Sequence, residues 1–216
     1  MYIPKLNAET RLGVMQDLME AQPFATLVTM GTSGLVATHL PLVLHRDQGR
    51  YGLLRGHISR ANQQWREFSP EVQALVIFAG PHHYITPSWY EEKTKTGKVV
   101  PTWNYVVVHA YARLTVVEDS AWLLEHLNTL TNVHESTFAT PWKVSDAPAD
   151  YVASMMKGIV GLELAMERLE GKWKVSQNRS EADRAQVAAG LEGLGGEDDL
   201  AMKALVLGGR EETSSN

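Results

Sequence analysis

The chain has no cysteine among its 216 residues, so neither a disulfide nor a thiolate metal site is available to it. That absence suits a reducing compartment, and a cytoplasmic protein is expected. No apolar run approaches the ~20 residues that cross a bilayer as a helix, so no membrane partner is expected. The N-terminal "MYIPKLNAETRLG" also lacks the basic-then-apolar pattern of a secretory signal. Excess positive charge is missing too: 20 Lys and Arg face 25 Asp and Glu, a net charge of −5. A protein that grips DNA mainly through phosphates usually shows a basic surface. Lysines gather at Lys93, Lys95 and Lys98 and again at Lys172 and Lys174, with acids among them, so a local DNA contact stays open. The Gly-x-Ser-x-Gly, phosphate-loop and Gly-x-Gly-x-x-Gly patterns are absent, which removes the hydrolase and mononucleotide-loop readings. Of the eight histidines, neither the adjacent pair His82 and His83 nor His126 and His134 stands in a carboxylate–histidine cluster at ligand spacing, so no metal is assigned. The last two are expected on a surface helix.

What is present is enough apolar residue, 44%, for a substantial core. Leu12, Met15, Leu18 and Met19 recur at helical spacing within residues 8–21, with Asn7 as the N-cap and Pro23 as the stop. "FATLVTM", "LVATHLPLVLH" and "RYGLLRGHI" read as three strands of a meander. "SRANQQWREF" reads as a short helix capped by Ser59, and "EVQALVIFAG" as a fourth strand ended by Gly80–Pro81. Residues 104–117 alternate as a fifth strand, and "GIVGLELAMERLEGKWKVS" forms a sixth with Val160, Leu162, Leu164 and Met166 on one face. Helices are predicted at 120–135, 148–157 and 180–193. Six strands, mostly in antiparallel hairpins with helices between them, predict a mainly β protein with peripheral helices, built as a small closed or nearly closed barrel. One domain is expected over residues 1–191. From 192 a Gly- and acid-rich tail is expected to be loosely held, with about one helical turn. The helices at 120–134 and 148–157 are joined by a connection too long for a helix-turn-helix, and no DNA-recognition helix is visible.

Four stretches could carry chemistry. In "GHISRAN" a strand ends at His57 and Ser59 is placed to cap a helix beginning at Arg60. Unpaired amides, a hydroxyl, a guanidinium and the Asn62 amide would make a phosphate site; an ordinary cap with a solvated arginine is the alternative. In "ATHLPLV" Pro41 interrupts a strand, leaving backbone near Thr38 and His39 free for a ligand or simply marking an edge. "SQNR" offers Gln177 and Asn178, whose amides suit a heterocycle with carbonyl and N–H groups, or a turn. "PSWYEEKTKTGKVVPTWNY" places Trp89 and Trp103 on either side of a charged loop from Glu91 to Lys98. Such aromatics line an interface or stack on a flat ligand, with core filling as the alternative.

Taken together, "ATHLPLVL", "LRGHISRANQQW", "GPHHYITPSWY", "VPTWNY" and "EGKWKVSQNR" resemble the PaiB-type FMN-binding negative transcriptional regulators, a family of the split-barrel flavin-binding superfamily that includes pyridoxamine 5′-phosphate oxidase. The resemblance runs from "MYIPK" to about residue 191. It implies a six-stranded antiparallel split β-barrel, a homodimer, and FMN in a cleft between subunits. It marks His39, Leu40 and Pro41, then Gly56, His57, Arg60, Ala61 and Asn62, then Gln177 and Asn178, as flavin contacts. Thr38, Ser59, Trp103 and Asn104 join them from the residue reading. A role in transcription, direct DNA binding, and a flavin-dependent oxidoreductase activity all remain open, and no catalytic residue is assigned.

Overall fold

The computed structural model describes residues 1–32 and 34–208, and its residues form two compact units. The fold is a mainly antiparallel β sheet with helices. Its strand order is β3-β2-β6-β7-β8-β5-β4, with the short β1 also paired to β8.

The larger unit comprises Leu12–Phe78 and His109–Leu169. Helix α1 (Leu12–Ala21) leads into the hairpin β2 (Phe24–Gly31) and β3 (Gly34–Pro41), in register from Phe24 opposite Pro41 to Gly31 opposite Gly34. The expected second strand breaks here, because Pro41 has no N–H to donate. The Leu42 amide donates instead to the Pro23 carbonyl, and β4 (Val43–His45) turns to pair with β5 (Leu53–Ser59). This break and the two-residue β1 bring the strands to eight among the described residues, where six were expected. Strand β5 pairs antiparallel with β8 (Ile159–Lys174), setting Gly56 opposite Leu162 and His57 opposite Gly161. Val160, Leu162, Leu164 and Met166 are buried, as the alternation predicts. Leu27, Leu54, Val76, Phe78, Ala110 and Ala112 complete the core of the unit.

Helix α2 is shorter than expected, Gln64–Glu67, and Ser59 does not cap it. Ser59 ends β5, its Oγ accepting from the Ala61 amide, while Asn62 Oδ1 accepts from the Gln64 amide and closes a turn over 59–62. The helix α4 (Ser120–Glu135) matches its predicted span, with Asp119 accepting from the Trp122 amide as N-cap. Helix α5 covers Ala149–Met156.

The smaller unit comprises Met1–Arg11, Ala79–Val108 and the chain from Glu170 on. Residues 8–9, expected in the first helix, form β1 (Ala8–Glu9) opposite Lys172 and Gly171. Strand β6 (Ala74–Ile85) runs on through Gly80–Pro81 rather than stopping there, and β7 (Thr102–Val117) is the long strand that alternation predicts. The expected charged loop contains a helix, α3 (Glu92–Thr96), with an i,i+4 pair between Lys95 and Glu91. The expected loose tail contains a three-turn helix, α7 (Glu197–Gly208), packed beside α6 (Glu181–Leu194). Met202 and Val206, four apart, are fully buried, and the Arg184 guanidinium donates to the Val206 and Leu207 carbonyls at the end of α7. Average composition hides that i,i+4 stripe. The rest of the expected tail, residues 209–216, lies outside the described residues.

Candidate functional site

In the larger unit the predicted residues fall into two groups. Thr38 Oγ1 accepts from Asn62 Nδ2 at 2.9 Å, which ties β3 to the 59–62 turn. His39 is exposed on the same strand, its Nδ1 2.9 Å from Thr26 Oγ1 and its ring stacked with Phe24. Leu40 is buried, and Pro41 closes the strand. Gly56 is a packing position: a Cβ there would stand 2.6 Å from Leu42 Cδ2. Directly after Gln64 enters α2, its Nε2 donates to Thr29 Oγ1 and the Val36 carbonyl, locking the hairpin to the helix.

The phosphate site expected at Ser59–Arg60 meets a different arrangement. Arg60 Nη1 forms an ion pair with Glu118 at 2.5 Å, while Nε and Nη2 donate to the Lys157 and Ile159 carbonyls. The Arg60 amide donates to Gly158, and the Asn62 amide to Ser59. The donors that a phosphate would need are therefore engaged within the protein, and no helix N-terminus begins at Arg60. Ala61 is exposed in the turn.

His57 faces inward to another histidine. Its Nδ1 lies 3.2 Å from His126 Nε2, across 69 residues of sequence. His126, expected on a helix surface, is 2% exposed and stacks on Trp122, whose Nε1 donates to Glu163. Arg55 lies over the Trp122 ring and pairs with Glu163 at 3.0 Å. Burial first, then the neighbouring His57, Arg55 and His45, pushes His126 down to about 4. Burial lowers His57 as well. Among the described residues His126 Nδ1 is buried without a partner, which suits a neutral ring donating from Nε2. Elsewhere in this unit, α4 and α5 flank an apolar groove of about 480 Å³ lined by Leu124, Val144, Val152 and Met156, and none of the predicted residues enters it.

In the smaller unit Trp103 is 50% exposed, and its Nε1 donates to His82 Nδ1 at 3.3 Å. His82 lies tilted against it and Tyr84 meets it edge-on, so one open aromatic surface spans β6 and β7. Trp89 differs: it stacks with His83 and lies so close over Gly190 of α6 that a Cβ there would be 2.3 Å from its Cε2. That contact packs Trp89 against α6. Asn104 is buried, Nδ2 donating to Ser176 Oγ at 2.9 Å while Oδ1 has no partner among the described residues. Ser176 takes φ of +65°, a left-handed conformation that turns the chain after β8. Gln177 is consumed by that turn, accepting from the Val175 and Asn7 groups and donating to the Trp173 carbonyl. Asn178 is exposed.

Two residues of this unit were noticed in the sequence only as charge. Lys172, 9% exposed, donates to the Tyr2 carbonyl and lies over the Tyr2 and Tyr105 rings. Lys174 donates to Thr102 Oγ1 and to the Trp103 carbonyl. Burial and the Lys172 charge lower the Lys174 pKa. The acid two residues before Lys172, Glu170, accepts the Met1 ammonium at 2.6 Å. The i,i+2 spacing of Lys172 and Lys174 on one strand face was the available signal.

FMN asks for uncompensated positive charge, a flat aromatic surface and polar groups for its ring edge. The smaller unit offers these: a lysine pair with no carboxylate partner among the described residues, the exposed Trp103 ring, and the Asn104 amide. The architecture belongs to a class seen before. An FAD and heme binding protein from Mycobacterium smegmatis shares the fold with a TM-score of 0.57 at 15% identity, covering 83% of this chain and 79% of that one.

The family is more specific. Residues 1–168 match the family model described as "Putative FMN-binding domain". The protease synthase and sporulation protein PAI 2 of Bacillus subtilis is 34% identical over 192 residues, 89% of each chain. An uncharacterized protein of Emericella nidulans is 36% identical over 232 residues, 90% of this chain and 92% of its own. The chain belongs to the PaiB-type family of FMN-binding proteins, and its cofactor is FMN. Among the described residues no helix is long and apolar enough to cross a membrane.

Proposed function

We propose that this protein is a cytoplasmic homodimer of six-stranded split barrels that holds FMN in a cleft between subunits and acts, through its flavin, as a negative regulator of transcription. The observation that carries the flavin part is the family match over residues 1–168. The six long strands β2, β3, β5, β6, β7 and β8 are the staves of the barrel in this reading. Trp103 would stack on the ring and Asn104 would meet its polar edge, while Thr38 and His39 are separate candidate flavin contacts of the larger unit. Bound FMN supplies reversible electron transfer, and the protein supplies binding, orientation and electrostatics. The regulatory part rests on the resemblance to the PaiB-type regulators; among the described residues no basic recognition helix is present, and in this reading regulation runs through a flavin-dependent change or a partner.

An absorbance spectrum of the purified protein tests the cofactor: flavin bands are expected, and a protein that stays colourless after FMN addition refutes it. Light scattering on a sizing column tests the dimer, which a monomer mass removes. A gel shift on its own upstream DNA at physiological salt, with and without FMN, tests regulation by direct contact. Absence of a shift in both removes that route.

An FMN-dependent oxidoreductase acting on a small substrate is the second reading. It is favoured by the exposed Trp103 and Tyr84 rings, which would admit a second ligand. Steady NAD(P)H consumption above a free-FMN control supports it, and none with either nicotinamide counts against it.

A further inference from the structure

We propose that Lys172 and Lys174 are an anion subsite that holds the phosphate of a planar aromatic ligand stacked on the Trp103 surface. Burying a cation without a counter-charge is costly, so buried lysines usually meet a carboxylate. Here Lys172 is nine-tenths buried and Lys174 half-buried, and no ion pair to either is found among the described residues. The nearest strand acid, Glu170, is taken by the Met1 ammonium. Two like charges on adjacent same-face positions of β8 also repel, an arrangement that an anion between them relieves.

The surroundings choose a flat anion over a simple one. Tyr105 lies against Lys172, Lys174 grips the Trp103 carbonyl, and Trp103 carries His82 and Tyr84 on its exposed side. Within the smaller unit β6, β7 and β8 are neighbours in the sheet, and the contacts of Lys172 with the Tyr105 ring and of Lys174 with the Trp103 carbonyl set the ammonium groups beside β7. Aromatic faces take up planar heterocycles by stacking, and the adjacent cations take the charge. By contrast, the guanidinium of Arg60 is already neutralised by Glu118.

A phosphorylated heterocycle has two sources here: FMN itself, or a second ligand that meets the flavin. The first source rests on the FMN-binding reading above. The test compares wild type with Lys172→Gln/Lys174→Gln and with the single Lys174→Gln, each checked for folding by a thermal melt. Lys174→Arg keeps the charge. Flavin-free protein is titrated with FMN and with riboflavin by flavin fluorescence, and FMN-loaded protein with NADPH by the change in the flavin spectrum. Loss of a charge-assisted hydrogen bond predicts a drop of about tenfold or more for the phosphorylated ligand. If the Gln variants level FMN with riboflavin and Lys174→Arg restores the preference, the subsite holds the cofactor phosphate. If they keep the preference but lose the NADPH response, it holds the second ligand. Variants that keep both as in wild type overturn the proposal. A wild type that binds neither flavin refutes the FMN reading instead. The lysines are then judged by NADPH binding to the flavin-free protein, where an unchanged variant overturns them.

Discussion

Acidification should destabilise this protein through His126 before its carboxylates titrate. The ring is 2% exposed, stacked on Trp122, and held near a pKa of about 4 against the ordinary 6.5. Because the folded value lies below the unfolded one, the unfolded chain takes up the proton first. The neutral ring's contribution is therefore fully present above about pH 6.5 and falls away as pH drops toward 4. At about 1.4 kcal/mol per unit, the shift amounts to roughly 3 kcal/mol in full, of which about 2 kcal/mol is lost between pH 8 and pH 5. His57 moves in the same direction and adds to the slope. The assay is urea unfolding at pH 8, 6.5 and 5, with His126→Phe beside wild type. Phenylalanine keeps the stack on Trp122 and removes the titration. Wild type should lose stability on acidification, and the variant about 2 kcal/mol less. Equal losses in the two proteins would refute a buried neutral His126.

Other expectations follow from packing. Gly161→Ala would set a Cβ 2.2 Å from Trp122 Cζ3, so a loss of about 1–3 kcal/mol is expected in a thermal melt; an unchanged melting temperature would show that Trp122 does not lie there. Gln64→Ala removes the donor shared by Thr29 and Val36 and should cost about 1–3 kcal/mol, read by urea unfolding. Trp89→Leu should lower stability by opening the seat over Gly190, while Trp103→Leu should leave the melt near wild type and weaken flavin binding. The reverse order in melts and flavin titrations would overturn the roles given to the two tryptophans.

Strand positions were legible wherever alternation was long, as in β7 and β8, and α4 was legible from its cap and its periodicity. The boundaries that failed are those set by contacts outside the window. Ser59 looks like a helix cap, yet Asn62 and Thr38 hold its segment as a turn. Gly80–Pro81 looks like a strand end, yet β6 continues past it to Ile85. Gln177 and Asn178 look like free amides, and Gln177 spends both ends of its own on the turn beside Ser176.

The sequence by itself determined the mainly β antiparallel class, the helix at residues 120–135, the absence of any disulfide, and the family, because local alternation, caps and ordered motifs are properties of neighbouring residues. Only the tertiary structure decided which charges and rings have partners. Arg60 meets Glu118 across 58 residues, and His57 meets His126 across 69. Among the described residues Lys172 and Lys174 meet aromatic rings and carbonyls but no carboxylate. A residue's type states what it can bind. Whether that capacity is already used depends on chain segments far away in sequence, and that is where the Arg60 and lysine sites part.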